Sequence, residues 1–135
     1  MESHHPRIIA FCCDRSGYSA ADMAGRLHLA LPDGVEVIRV PCAGRIDAMH
    51  MLQALEQGVD GVLVFACHEN NCQSLTGSRI ASTRMRHVHE MMGKIGIEHE
   101  RLELHHVATN QGARFAEIIQ KKNEDLMRLG SRSVK

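Results

Sequence analysis

The sequence is poor in aromatic residues and carries no excess charge of either sign. It has no Trp, one Tyr and three Phe, so aliphatic side chains and the eight Met must supply most of the core. Sixteen Lys and Arg balance sixteen Asp and Glu. A protein that binds nucleic acid needs a basic surface, and this balance gives no sign of one. We therefore expect no nucleic-acid partner.

Long hydrophobic runs are missing as well. No apolar stretch approaches the roughly 20 residues of a membrane-spanning helix. The segment Met1-Glu-Ser-His-His-Pro6 lacks the basic and apolar regions of a signal peptide. We therefore expect a cytoplasmic protein with no membrane partner. The 135 residues suit one domain, which we predict over residues 7–130, with an N-terminal tail at 1–6 and a C-terminal tail at 131–135.

The common phosphate-binding and thiol motifs are also absent. The chain contains neither Gly-x-Gly-x-x-Gly nor a P-loop, so no motif indicates nucleotide or flavin binding. It has no Cys-x-x-Cys pair of the thioredoxin kind. Counted from Cys12 or Cys13, the arginine of a thiol-phosphatase loop would fall on Tyr18 or Ser19, which excludes that chemistry.

Segments with strand and helix patterns alternate along the chain. Four short, largely apolar segments are predicted as strands, at about 7–13, 35–40, 60–66 and 101–108. Four longer segments are predicted as helices, at about 19–30, 47–57, 78–94 and 112–128. This alternation predicts an α/β fold: a three-layer sandwich with a four-stranded parallel sheet, of flavodoxin-like kind.

Local signals refine two of the helices. Ser19 is a plausible N-cap for the first helix, and its helical spacing predicts that Met23, Leu27 and Ala30 face inward. Gly58 is expected to end the second helix as its C′ residue, and the third helix is expected to end near Gly96.

Five cysteines lie at or just beyond the ends of the first three predicted strands. Cys12 and Cys13 close the first strand, Cys42 follows the second, Cys67 closes the third, and Cys72 lies five residues later. Because the carboxyl ends of parallel strands share one edge of the sheet, these thiols are expected to converge. In a cytoplasmic protein such cysteines indicate metal or redox chemistry more than structural disulfides.

Four thiolates can hold a [2Fe–2S] cluster, and a structural zinc site also takes four ligands. The candidate ligands are Cys13, Cys42, Cys67 and Cys72. Cys12 is a fifth candidate or a buried core thiol, because adjacent residues of a strand point to opposite faces. The residues leave three functions open: a non-catalytic electron-transfer subunit, a zinc-bound or metal-free structural adaptor, and a thiol enzyme that uses Cys12 or Cys13.

Two polar side chains near the cysteines are secondary candidates. Arg45 either places a positive charge beside an anionic cluster or lies in solvent at the start of a helix. His68 is a ligand, a close neighbour of the centre or a surface residue. We favour a neighbouring or surface position for His68, because the cysteines already supply enough ligands.

Several motifs occur together around these cysteines. They are Phe11-Cys-Cys13, Tyr18-Ser-Ala-Ala-Asp22 with Gly25, Val40-Pro-Cys-Ala-Gly-Arg45, residues 54–64, and Cys67-His68 with Cys72. In this combination the chain resembles the delta subunit of methyl-viologen-reducing hydrogenase, the hydrogenase iron–sulfur subunit family, over about residues 7–128. One position departs from the family pattern, because Ser16 stands where a Cys-x-x-Cys pair would have its second thiol.

The resemblance implies an electron-transfer subunit with one [2Fe–2S] cluster, for which Cys13, Cys42, Cys67 and Cys72 make a set of four ligands. It also implies partners: a heterodisulfide-reductase-A-like flavoprotein and another oxidoreductase of hydrogenase, heterodisulfide reductase or benzoyl-coenzyme A reductase type. Such complexes belong to anaerobic metabolism. Electron bifurcation in them would take place on the partner's flavin, so this chain is not expected to be an enzyme by itself.

Overall fold

The computed structural model describes residues 6–13, 17–27, 31–32, 34–40, 48–66, 77–108 and 110–129. The strands in this part of the chain are β1 (Ile8–Cys13), β2 (Val35–Val40), β3 (Gly61–Ala66) and β4 (Leu102–His106). The helices are α1 (Gly17–Arg26), α2 (Ala48–Glu56), α3 (Gly77–Ile95) and α4 (Gly112–Leu129). A short 3-10 turn, His99–Arg101, leads into β4. Residues 1–5 and 131–135 of the predicted tails lie outside the described residues, and the domain boundaries stay a prediction.

All four strands run parallel, in the order β2-β1-β3-β4. From β1 the chain crosses to β2 on one side, and from β2 it crosses back over β1 to β3 on the other. The direction of winding therefore changes between β1 and β3, and in open α/β sheets ligands bind beyond the carboxyl ends of the strands at such a switch point. The predicted α/β sandwich with a four-stranded parallel sheet is confirmed.

Two hydrophobic cores lie on the two faces of the sheet, because successive side chains of a strand point to opposite faces. Under α1 and α4 the large buried side chains are Ile8, Leu63, Phe65, Phe115, Ile119 and Leu126. Under α2 and α3 they are Met51, Leu55, Val62, Val64, Val88 and Met92. None of the described helices is both long and apolar enough to cross a bilayer.

Two glycines end helices in the left-handed conformation that glycine adopts most readily. Gly58 has φ of 93° and Gly96 has φ of 81°. After α2, the amide of Gly58 donates to the carbonyl of Leu55, and the amide of Val59 donates to the carbonyl of Ala54, both at 3.2 Å. This is the Schellman pattern. Both helix ends fall where the sequence predicted them.

Helix α1 begins and ends earlier than the predicted range of 19–30. Ser19 therefore lies inside the helix and not at its N-cap. Leu27 follows the last helical residue and is 60% exposed, so its predicted inward position is wrong. The residues of α1 that are buried are small, namely Gly17, Ala20 and Ala24. The third residue of the predicted stripe, Ala30, lies outside the described residues.

A buried polar network closes the amino end of the sheet. Arg101 is fully buried, and its guanidinium donates to the carbonyl oxygen of Asp60 at 3.0 Å and to the carboxylate of Glu98 at 2.6 Å. The carboxylate of Asp60 accepts the backbone amide of Arg7 at 2.8 Å. Arg7, Asp60 and Arg101 immediately precede β1, β3 and β4. The network therefore lies at the edge of the sheet opposite to the described cysteines.

Candidate functional site

The structure describes two of the five candidate cysteines, Cys12 and Cys13, at the carboxyl end of β1. The other positions singled out from the sequence lie outside the described residues: Cys42, Cys67, Cys72, Arg45, His68 and Ser16. Within the described residues, no group of three or more His, Cys, Asp or Glu side chains is arranged to hold a metal ion. The convergence of four thiols on one centre therefore stays a prediction.

Cys13 lies where β1 ends and α1 is about to begin. Its side chain is almost fully buried, and its Sγ accepts a hydrogen bond from the backbone amide of Gly17 at 3.2 Å. The first amides of a helix have no partner inside the helix, and the N-terminus carries a partial positive charge. This hydrogen bond therefore favours negative charge on the sulfur. Since a thiolate is the form that binds metal, the geometry of Cys13 fits one ligand of a metal or iron–sulfur centre.

Position 17 has room for glycine alone. A Cβ at Gly17 would lie 2.7 Å from the carbonyl oxygen of Phe65 and 3.2 Å from the Cα of Cys12. Helix α1 therefore begins directly against the backbones of β1 and β3, at the switch point of the sheet. Sequence reasoning did not single out Gly17, although a glycine four residues after a strand-end cysteine was a visible signal.

Cys12 lies in a different environment from its neighbour. Its side chain belongs to the core under α1 and α4 and is fully buried. Its Sγ makes a long contact of 3.8 Å with the carbonyl oxygen of Ala10. Burial raises the pKa of Cys12 to about 12, and the neighbouring Cys13 acts in the same direction. At neutral pH this residue is a protonated thiol and a poor nucleophile.

The strands on either side of β1 end at the same edge of the sheet. Val40, the last residue of β2, lies beside Cys13, and Phe65, next to the last residue of β3, lies beside Cys12. In the sequence, Cys42 follows Val40 by two residues and Cys67 follows directly after β3. Three chain segments that contain candidate cysteines therefore leave the sheet at neighbouring strand ends.

Comparison with known proteins identifies the family. Residues 8–130 match the family model of the methyl-viologen-reducing hydrogenase delta subunit. This chain belongs to that family. An iron-sulfur subunit of the F420-non-reducing hydrogenase from Archaeoglobus profundus is 36% identical over 129 residues, which cover 96% of this chain and 94% of that protein. The resemblance stated from the sequence is therefore confirmed.

Two further relatives show the range of the similarity. The vhu iron-sulfur subunit of the F420-non-reducing hydrogenase from Methanococcus maripaludis is 34% identical over 130 residues, which cover 96% of this chain and 97% of that protein. One polypeptide of the ferredoxin/F(420)H(2)-dependent CoB-CoM heterodisulfide reductase from Methanosarcina acetivorans is 33% identical over 129 residues. That match covers 96% of this chain but 16% of the larger protein. In the larger protein, almost all of this chain corresponds to one segment of a longer polypeptide.

Proposed function

We propose that this protein is an electron-transfer subunit of an oxidoreductase complex and that it holds one [2Fe–2S] cluster. The observation that carries the proposal is the geometry of Cys13, whose buried sulfur lies at the switch point of the sheet and accepts the amide of Gly17. Two of the relatives are named as iron-sulfur subunits of hydrogenases, which supports the same function. The protein is then a relay and not a catalyst by itself.

The proposed ligands are Cys13, Cys42, Cys67 and Cys72. Consecutive Cα atoms are about 3.8 Å apart, so the short sequence distances from the ends of β2 and β3 allow Cys42 and Cys67 to reach a centre near Cys13. When bound, such a cluster supplies one-electron redox chemistry at a potential set by hydrogen bonds to sulfur and by solvent exposure. We place Cys12 outside the ligand set, because its side chain is packed in the core under α1 and α4.

The cysteine pair of β1 provides the test of cluster binding. Wild-type protein reconstituted anaerobically with iron and sulfide should contain about two iron and two acid-labile sulfide per chain, and dithionite should produce an EPR signal. The variant Cys13→Ala should lose most of the iron, because it removes a ligand. The matched variant Cys12→Ala should keep the iron, because it removes a core thiol.

Three results would count against this proposal. Equal iron loss in both variants would place Cys12 among the ligands. Zinc in the purified protein, with no iron taken up, would favour the structural adaptor. Protein that binds no metal and gives no EPR signal would remove the cluster from the proposal altogether.

We infer that a partner of this chain is a flavoprotein of the heterodisulfide-reductase-A kind, with an oxidoreductase of hydrogenase, heterodisulfide reductase or benzoyl-coenzyme A reductase type as the second partner. The support is the relative in which this sequence is a segment of a heterodisulfide reductase polypeptide, because fusion in one protein often corresponds to association of separate chains in another. This proposal keeps the protein in the cytoplasm.

Co-expression under anaerobic conditions tests the partner. The tagged chain and a heterodisulfide-reductase-A-like flavoprotein, without the fused segment, should elute together in gel filtration. Two separate peaks at micromolar concentration would contradict the inferred association. The Arg26→Ala variant, changed at an exposed site far from the strand ends, serves as a control for the effect of handling.

A further inference from the structure

We propose that the backbone amide of Gly17 is a positioning group that raises the reduction potential of the cluster through its hydrogen bond to Cys13. The close contact between the start of α1 and the carbonyl of Phe65 holds this amide in place. The inference rests on the proposed function, because it concerns a cluster bound by Cys13.

The environment of the hydrogen bond makes it effective. The amide nitrogen of Gly17 lies 3.2 Å from the Sγ of Cys13, and the Cys13 residue is 2% exposed. Water therefore competes little for the sulfur, and a hydrogen bond is electrostatically stronger in such a low-dielectric site than in solvent. The amide also lies at the N-terminus of a ten-residue helix, whose dipole adds positive potential at the same place.

The contact at Gly17 fixes the direction of the amide. A Cβ there would meet the backbone oxygen of Phe65 at 2.7 Å, and a backbone atom cannot turn aside as a flexible side chain can. A side chain at position 17 must therefore move α1 away from the sheet and lengthen the hydrogen bond. Gly25, in the same helix, has no atom within 4 Å of its Cβ position. The two glycines form a matched pair, since one is packed against the sheet and the other is not.

The direction of the effect follows from charge. Reduction adds one electron to the centre and increases the negative charge on its sulfur ligands. A hydrogen-bond donor stabilises the more negative state more strongly, so it favours the reduced form. Loss of the amide at Cys13 should therefore lower the reduction potential.

A redox titration of the loaded protein measures this effect. Wild type, Gly17→Ala and Gly25→Ala are reconstituted, reduced stepwise with dithionite in the presence of mediator dyes, and followed by EPR. For Gly17→Ala we expect the equilibrium constant of one-electron reduction to fall about tenfold, which corresponds to about 59 mV in the midpoint potential. Gly25→Ala should titrate like wild type.

A second variant removes the donor without adding any atom that could clash. Glycolic acid can be placed at position 17 by nonsense suppression, which replaces the amide of Gly17 with an ester and deletes the N–H group. Its potential should fall in the same direction as that of Gly17→Ala. This variant decides the question even where Gly17→Ala does not fold, and circular dichroism with iron analysis confirms that it is folded and loaded.

The outcomes separate the inference from the proposed function. A loaded ester variant with the potential of wild type overturns the role of the Gly17 amide and leaves the cluster in place. Wild-type protein that takes up no iron overturns both. A lowered potential in the ester variant, with Gly25→Ala unchanged, establishes the amide as the group that sets the potential.

Discussion

The two ends of the parallel sheet are built from different chemistry. At the amino end, buried charged groups bind one another and the backbone: Arg101 contacts Asp60 and Glu98, and Asp60 accepts the amide of Arg7. At the carboxyl end, the Sγ of Cys13 lies against the first amide of a helix. The comparison assigns stability to the amino end and a reactive group to the carboxyl end.

The order of the elements produces this difference. Each helix follows a strand, so helices α1 to α4 begin at the carboxyl side of the sheet and end at its amino side. Positive helix N-termini therefore gather where an anionic centre would be stabilised. The helices α2 and α3 end at the opposite side, where Gly58 and Gly96 satisfy their last carbonyls.

The largest expected effect comes from breaking the amino end. Arg101→Ala removes a fully buried guanidinium and leaves the carboxylates of Asp60 and Glu98 without it. Removing one partner of a buried ion pair costs about 3–5 kcal/mol. We expect that loss in the free energy of unfolding, measured with urea, whereas the iron content of the folded protein should stay at the wild-type value.

A surface ion pair gives the control for this experiment. Arg26 and Asp22 lie 3.2 Å apart in α1, but their side chains are 69% and 59% exposed. Such pairs contribute about 0–1 kcal/mol, so Arg26→Ala should unfold almost like wild type. If Arg101→Ala also cost less than about 1 kcal/mol, the amino end would not be the stable part of the sheet.

The secondary structure was largely predictable from the sequence, because its signals are local. Strand β2 has the predicted limits, and β1 and β3 differ from prediction by one residue at their amino ends. The fourth strand was predicted over 101–108, but it runs from Leu102 to His106. The prediction failed at Arg101 because that side chain is held in the 3-10 turn by residues distant in sequence, which periodicity does not detect.

The site was predictable in part. The sequence placed Cys13 at a strand end before a helix, and strand alternation correctly allowed different environments for Cys12 and Cys13. Gly17 was missed because glycine is a poor helix former, so the pattern placed the helix start at Ser19. The role of Gly17 comes from its contact with Phe65, a residue 48 positions later in the chain. The approach of Cys42, Cys67 and Cys72 stays a prediction, since spacing alone does not determine loop conformation.

Strand β4 connects the two ends of the sheet through a second polar cluster. Lys122 of α4 is 4% exposed in its side chain, and its Nζ lies 2.8 Å from a carboxylate oxygen of Glu103 and donates to the carbonyl of Glu100 at 2.9 Å. The other oxygen of Glu103 lies 3.0 Å from the Nε2 of His105, whose ring stacks on Phe65 toward the carboxyl end. This cluster is partly open to solvent, so its contribution should be smaller than that of Arg101.

The smallest expected effect is therefore a dependence of stability on pH. The hydrogen bond with His105, together with Lys122, lowers the pKa of Glu103 from 4.5 to about 2, although partial burial acts in the opposite direction. Because the pKa is lower in the folded protein, Glu103 stabilises the fold above pH 4.5, and this stabilisation is lost as the pH falls toward 2. In Glu103→Gln, the free energy of unfolding should fall less steeply between about pH 6 and pH 3 than in wild type.

A second variant separates the causes of that slope. His105→Ala removes the hydrogen bond that lowers the pKa of Glu103 most, but it leaves Lys122 in place. Its stability should therefore vary with pH less than that of wild type and more than that of Glu103→Gln. Urea unfolding at each pH, with all three proteins in the same metal state, gives the curves. Parallel curves for wild type and Glu103→Gln would show that β4 does not couple the two ends of the sheet through this carboxylate.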